Sequence, residues 1–90
     1  MTVSIKMLEN LVKHLNKLTN SPDKYGQRVE GEFIINIGHY HIQSHINGFS
    51  LLRTISTGGQ VTDVFGLVCS KRELFNLIHA YIKGIELTKN

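Results

Sequence analysis

The sequence predicts an α+β fold: an antiparallel β-meander of three to four strands, flanked by an N-terminal and a C-terminal helix packed on one face. Apolar residues recur at helical spacing near both ends of the chain. Between them lie short runs rich in aromatic and β-branched residues, typical of strands. Two turn signals, Asn47-Gly48 and Gly58-Gly59, separate these runs. Helices that cover one face of a sheet make a two-layer domain.

The 90 residues are expected to form a single domain, 1–90, because the chain is too short for two cores. We expect a helix over about 3–20, a connector over 21–31, strands within 32–66 and a helix over about 71–88. Pro22 ends the first helix. Ser70 and Glu73 form a capping box at the start of the second. Gly38 indicates a bulge or a tight turn within the strand region.

The Asn47-Gly48 pair also predicts a register. If these two residues form a type I′ loop, Ile46 lies opposite Phe49 and Ile42 lies opposite Arg53. One face of the hairpin is then mostly apolar and turns toward the helices. The opposite face carries uncharged polar side chains, which are His41, Gln43, His45, Ser50 and Thr54.

Composition narrows the class of protein. Hydrophobic residues make up 41% and charged residues 19%, which is typical of a folded chain. The formal charge of +3 is spread out, which suits a small anionic ligand better than an extended nucleic-acid duplex. The single Cys69 cannot form an internal disulfide, and neither a signal peptide nor a membrane-spanning run is apparent. A cytosolic protein is expected.

Arg53 is the first candidate for ligand binding, because the predicted register places its charge on the apolar face. One interpretation is an ion pair with Asp63 or Glu32. The other is a clamp that holds a phosphate or carboxylate with two hydrogen bonds.

Other candidate anion-binding groups lie in two places. The turn after Arg53 offers hydroxyls and backbone amides that could form a phosphate-binding nest. The start of the second helix offers a positive dipole end with basic side chains. Together with the polar face, the predicted ligand-binding residues are Arg53, His41, Gln43, His45, Thr54, Ser56, Thr57, Gly58, Gly59, Lys71 and Arg72.

Catalysis is not expected. His39 and His41 share a strand face and could grip one metal ion, but no further ligand stands at suitable spacing, so histidines that only form hydrogen bonds are the commoner interpretation. No Ser-His-Asp arrangement, carboxylate pair, P-loop or dinucleotide fingerprint is apparent. No cofactor is therefore expected.

The stretches NIGHYHI, NGFSLLR, GGQVTDVFG and KRELFNLIHAYIKGI resemble a group of small uncharacterised accessory proteins of tailed bacteriophages. The similarity covers about residues 36–85 and follows the pattern N-I-G-x-Y-H, L-x-R, V-x-D-V-F and K-R-E-L-x-N. At Leu52, just before Arg53, that group has a histidine. The resemblance implies the order of elements and a phage origin, but no catalytic residues.

Two functions from different classes follow. A non-catalytic counter-defence protein would act in the host cytoplasm as a homo-oligomer, a sponge that sequesters an anionic nucleotide-type immune signal. A phage inhibitor would instead bind and block a host protein, such as a defence effector, nuclease or polymerase, through the open sheet face or an edge strand. A metal-dependent enzyme ranks third.

Overall fold

A computed structural model describes residues 2–88 and confirms the α+β fold. Residues 1, 89 and 90 of the predicted 1–90 domain lie outside the described residues. The elements in chain order are α1 (Ile5–Leu18), β1 (Gly26–Val29), β2 (Glu32–Ile35), β3 (Tyr40–His45), β4 (Gly48–Thr54), β5 (Val61–Asp63) and α2 (Lys71–Thr88). No helix among residues 2–88 is long and apolar enough to cross a membrane.

Both helices begin at polar caps that the sequence contains. The Ser4 hydroxyl accepts a hydrogen bond from the Met7 amide and starts α1. At α2, the Glu73 amide donates to the Ser70 hydroxyl at 3.1 Å, and the Ser70 amide donates to the Glu73 carboxylate at 3.2 Å. The predicted capping box is confirmed, with both of its reciprocal bonds formed.

The strands form two sheets instead of one. The main sheet has the order β3-β4-β5, whereas β1 and β2 pair only with each other. The predicted connector over 21–31 was wrong in this respect, because it contains β1. Its hairpin turn is Glu30-Gly31, with φ values of +50° and +84°, the positive values that a type I′ turn needs. Glutamate rarely adopts this conformation, so the turn carries little sequence signal.

The predicted register of the β3–β4 hairpin was also wrong, by two residues. Ile42 lies opposite Leu51, Tyr40 lies opposite Arg53, and the turn is Ile46-Asn47. A Cβ at Gly48 would lie only 2.6 Å from the carbonyl oxygen of Cys69, which pairs with the adjacent Phe49 in an antiparallel bridge. Gly48 is therefore required for close backbone approach, and the Asn-Gly pair does not form the expected type I′ loop. Since the shift is even, each side chain keeps its predicted face.

The core lies between the helices and the main sheet. α1 contacts β3, α2 contacts β4, and the two helices contact each other, so both cover one face as predicted. The fully buried apolar side chains include Leu8 and Leu15 from α1, Leu51 from β4, and Leu74 and Ile78 from α2. Tyr40 is buried with them, and its hydroxyl lies 3.1 Å from the Tyr81 hydroxyl. Burial is the main cause that raises the pKa of Tyr40 to about 12.

Cys69 is a buried free thiol in the segment that pairs with Phe49, next to Gly48. Burial, followed by the nearby carboxylates of Glu73 and Asp63, raises the pKa of this thiol. Cys69 therefore behaves as a small core residue and not as an activated nucleophile.

Candidate functional site

A cleft of about 300 Å³ lies between α1, the free edge of β3 and the segment that follows α1. A second hollow of about 430 Å³ continues it along α1 and shares Lys13, Asn16 and Asp23 with it. The cleft is lined by Glu9, Val12, Lys13, Asn16, Asp23, His39, Tyr40, His41 and Ile42. The hollow adds Lys17, Asn20, Ser21 and Pro22. Volumes of this size accommodate small ligands.

Asn16 forms the floor of the cleft by acting as a substitute strand. Its side-chain oxygen accepts a hydrogen bond from the Tyr40 amide at 2.9 Å, and its side-chain nitrogen donates to the Tyr40 carbonyl at 3.1 Å. Asn16 is only 2% exposed. These two bonds satisfy the edge of β3 where no strand pairs with it, and they hold α1 against the sheet.

The rings of His39 and His41 line the cleft, and the Tyr25 ring lies against both of them. The rings of His39 and His41 stack with centroids 5.6 Å apart, and the Tyr25 ring meets both edge-on. His39 Nδ1 lies 2.8 Å from the carbonyl oxygen of Pro22, which can only accept a hydrogen bond. His39 therefore carries a proton on Nδ1, and this bond fixes the segment after α1 against β3.

His41 has a polar atom with no partner. Its Nδ1 is buried and forms no hydrogen bond within the described part of the chain. Burial, followed by the neighbouring His39, lowers the pKa of His41 below the usual value of 6.5. At neutral pH the ring is therefore uncharged, with one nitrogen able to donate and the other able to accept a hydrogen bond. A buried polar atom without a partner calls for an explanation, such as a bound water, an ion or a rearrangement on ligand binding.

Charges of both signs surround these rings. Lys13 lines both cavities and Lys17 lines the hollow, whereas Glu9 and Asp23 line the cleft. All four side chains belong to exposed residues. The cleft is therefore suited to a ligand that carries anionic groups together with N–H donors, and less suited to a simple anion.

Arg53, the first candidate of the sequence analysis, contacts Tyr40 and Gly38 and not the expected Asp63, whereas the anion clamp stays a prediction. It is exposed, its guanidinium carbon lies 4.9 Å from the centroid of the Tyr40 ring, and its Nε donates to the Gly38 carbonyl at 3.4 Å. Asp63, the expected ion-pair partner, lies opposite Leu52 and accepts bonds from the amides of Phe65 and Gly66. Arg53 thus stabilises the start of β3 through a cation–π contact.

The predicted nest after β4 is a closed turn. The Ile55 amide donates to the Gln60 carbonyl, the Gly59 amide to the Ser56 carbonyl and the Gln60 amide to the Ser56 hydroxyl. Thr57 and Gly58 are exposed at this turn. Thr54, at the end of β4, is buried, and its hydroxyl has no partner among the described residues. The turn amides therefore complete the hairpin, which leaves little of the predicted nest.

The remaining candidates lie elsewhere. Gln43 and His45 are exposed, and His45 Nε2 lies 2.8 Å from the Ser50 hydroxyl. Lys71 and Arg72 begin α2 just after Cys69, which pairs with Phe49. Arg53 is four residues farther along β4, about 13 Å away at strand spacing. The predicted set is therefore split between the two ends of β4, and of its members only His41 lines the cleft.

Two features bear on the chemistry of the cleft. No group of three or more His, Cys, Asp and Glu side chains among residues 2–88 could hold a metal ion. The described residues that line the cleft include no Ser, Thr or Cys that could act as a nucleophile. What the arrangement can do is bind a ligand through hydrogen bonds, ring contacts and lysine charges.

Sequence analysis missed Lys13, Asn16, Lys17 and Asp23. Lys13 and Lys17 have the pattern of a solvent-facing helix surface, and Asp23 lies in the segment taken for a connector. Asn16 did have a signal, because it lies four residues after Val12 and eight after Leu8, on the apolar stripe of α1. A polar side chain on that stripe indicates a buried partner.

No protein-family model matches the chain, and neither a curated protein nor a solved structure matches it. The resemblance to phage accessory proteins therefore stays a prediction.

Proposed function

We propose that this protein is a non-catalytic counter-defence protein of a bacteriophage, which binds a nucleotide-type immune signal in the cleft between α1 and β3. It acts in the host cytoplasm as a homo-oligomer and holds the signal without cleaving it. The observation that carries the proposal is a cleft of ligand size that the His41 ring and the Lys13 side chain line together.

The lining suits a nucleotide because nucleotides combine phosphates with a flat base that has N–H donors. Lys13 and Lys17 are positioned for the phosphates. Asp23 and the neutral His41 can form hydrogen bonds with the edge of a base, and the neighbouring rings provide flat surfaces for contact. Nucleotide binding therefore accounts for the mixed charges of the site. The phage setting depends on the sequence resemblance.

Titration calorimetry with a panel of cyclic and linear nucleotides tests the proposal. Lys13→Ala and His41→Ala should each weaken binding about tenfold or more, because each removes a hydrogen bond or a charge from the ligand. Lys83→Ala and His79→Ala are matched controls, since both residues are exposed on α2 and line neither cavity. Equal affinities for all four variants and the wild type would rule out this cleft.

A second measurement separates sequestration from turnover. After incubation the complex is denatured and the released nucleotide is identified by mass spectrometry. Recovery of the intact nucleotide in stoichiometric amount is expected. Recovery of a hydrolysed product at the same amount would contradict a non-catalytic role.

The alternative, an inhibitor that binds a host protein through an edge strand, has less support. Asn16 already satisfies the Tyr40 backbone, and the Gln43 side chain donates to the Ser44 carbonyl at 3.2 Å. Side-chain amides thus occupy part of the edge of β3 to which an added strand would bind.

A further inference from the structure

A hairpin arm, formed by β1, β2 and the Glu30-Gly31 turn (residues 26–35), projects from the main sheet. Its two strands contact each other, but neither forms an element-to-element contact with any other helix or strand described. The molecule measures 45 × 39 × 22 Å, which is flat for a chain of this length. An isolated two-stranded hairpin is at best marginally stable in water. At its base the Ile35 side chain lies near Gly59 of the turn after β4, whereas the part near the Glu30-Gly31 turn contacts no other helix or strand described. A partner that covered this outer part would stabilise the arm.

One face of this arm combines apolar and acidic side chains. The pairing of Val29 with Glu32, and of Gln27 with Ile34, places these residues on one face of the hairpin. The opposite face is where Phe33 contacts Tyr25. Val29 and Ile34 are each 42% exposed. Glu30 and Glu32 add two carboxylates near the turn. Arg28, the single cation of the arm, lies on the opposite face with Phe33 and donates to the Gly31 carbonyl.

A surface of matching character lies at the other end of the sheet. We call it the basic tip, and it consists of Ile46, Leu67, Val68, Lys71 and Arg72, all of them exposed. The Val68 side chain is adjacent to Gly48 in the hairpin whose turn contains the fully exposed Ile46. Glu73, the nearby carboxylate, is already bonded to the Ser70 amide. The tip therefore carries apolar side chains and two cations, which outnumber the single carboxylate of Glu73.

The arm and the basic tip do not meet within one molecule, since β1 and β2 contact neither β4 nor α2 in the described part of the chain. The arm leads through residues 36–39 into the start of β3, and the tip begins where β3 ends. The five residue steps from Tyr40 to His45 span about 17 Å at strand spacing. Two molecules related by a two-fold axis can instead place each arm on the tip of the other.

We propose that the protein self-associates by arm-to-tip exchange, in which Val29 and Ile34 of one copy contact Ile46 and Val68 of a second copy. Glu30 and Glu32 then face Lys71 and Arg72 across the contact. Charge complementarity identifies the occupant, because the acidic apolar arm and the basic apolar tip belong to the same chain. A stable interface buries about 800 Å² on each partner. Because the two-fold axis produces two such contacts, each contact needs to bury only about half of that area.

Charge reversal and its rescue test this inference, with oligomeric state measured by sedimentation velocity over a concentration series. The wild type is expected to associate, and more weakly as salt is raised. Glu30→Lys with Glu32→Lys, and separately Lys71→Glu with Arg72→Glu, should each weaken association about tenfold or more. The four changes combined should restore it. Lys83→Glu, an exposed control on α2, should have no effect.

These variants are chosen to fold. At Glu30, lysine replaces glutamate without changing the backbone requirement of the turn. At Lys71 and Arg72, acidic residues are favourable because these positions lie in the first turn of a helix. Ile46→Ser tests the apolar part against Leu87→Ser, an exposed apolar control on α2 that belongs to neither surface. Circular dichroism spectra should be unchanged throughout.

A wild type that stays monomeric at the highest concentration reached would overturn the inference, as would a fourfold variant that fails to regain association. A monomeric protein whose arm binds a host protein instead of a second copy would also overturn the inference. Because association is measured without any nucleotide, its failure is distinguishable from a failure of the proposed ligand site.

Discussion

Replacing Asn16 by alanine tests how α1 is held against the sheet. The change removes two hydrogen bonds, of 2.9 and 3.1 Å, and leaves the Tyr40 amide and carbonyl without their partner. A buried backbone group left unsatisfied costs about 1–3 kcal/mol. Water from the adjacent cleft can reach these groups in part, so we use the lower half of that range for each. The better helix propensity of alanine recovers about 0.5 kcal/mol.

The expected net loss is about 1.5–3.5 kcal/mol in the free energy of unfolding, measured by equilibrium denaturation in urea. Asn10→Ala is the matched control, because Asn10 is an exposed asparagine on the same helix. It should change stability by no more than about 0.5 kcal/mol. If Asn16→Ala unfolds with the same free energy as Asn10→Ala, the substitute-strand role of Asn16 is wrong.

Three further predictions concern titration and close packing. Because the pKa of His41 is lowered from 6.5, the folded state resists its protonation, so stability is full above pH 6.5 and falls as the pH drops toward the folded value. Denaturation at several pH values should show that His41→Gln loses less stability in acid than the wild type does. His14→Gln, whose side chain is exposed on α1, should lose as much stability as the wild type. The pKa of Tyr40, raised from 10.0 to about 12, predicts the opposite direction: stability is lost as the pH rises from about 10 to 12, and Tyr40→Phe should remove that part of the loss. Finally, Gly48→Ala should destabilise the fold by about 1–3 kcal/mol in urea denaturation, because its Cβ would clash with the Cys69 carbonyl, and unchanged stability would contradict this close contact.

Local patterns predicted the helices correctly, and the side chains of β3 and β4 keep their predicted faces. The predicted exposure was wrong for Ser50 and Thr54, which lie on the polar face but are buried. The apolar spacing of α1 and the capping box of α2 depend on residues within a few positions of each other. The alternation of side chains along β3 and β4 survives an even shift in register, which is why Tyr40 and Leu51 are buried as expected.

The features that were missed depend on contacts between distant parts of the chain. Gly48 has the sequence context of a turn residue, but its role is set by Cys69, which is 21 positions later. The arm is missed because its turn uses Glu30 in a conformation usually taken by glycine or asparagine. A helix surface and a histidine pair become one cleft only through the Asn16–Tyr40 contact, so the candidate site could not be assembled from spacing alone.

The measurement that tests the proposed function most directly is native mass spectrometry of the protein with the same nucleotide panel. The proposal predicts that the wild type gains a discrete nucleotide mass, which Lys13→Ala and His41→Ala lose while Lys83→Ala keeps it. A wild type that gains no mass from any nucleotide, at protein and ligand concentrations where weak complexes survive, would contradict the proposed function.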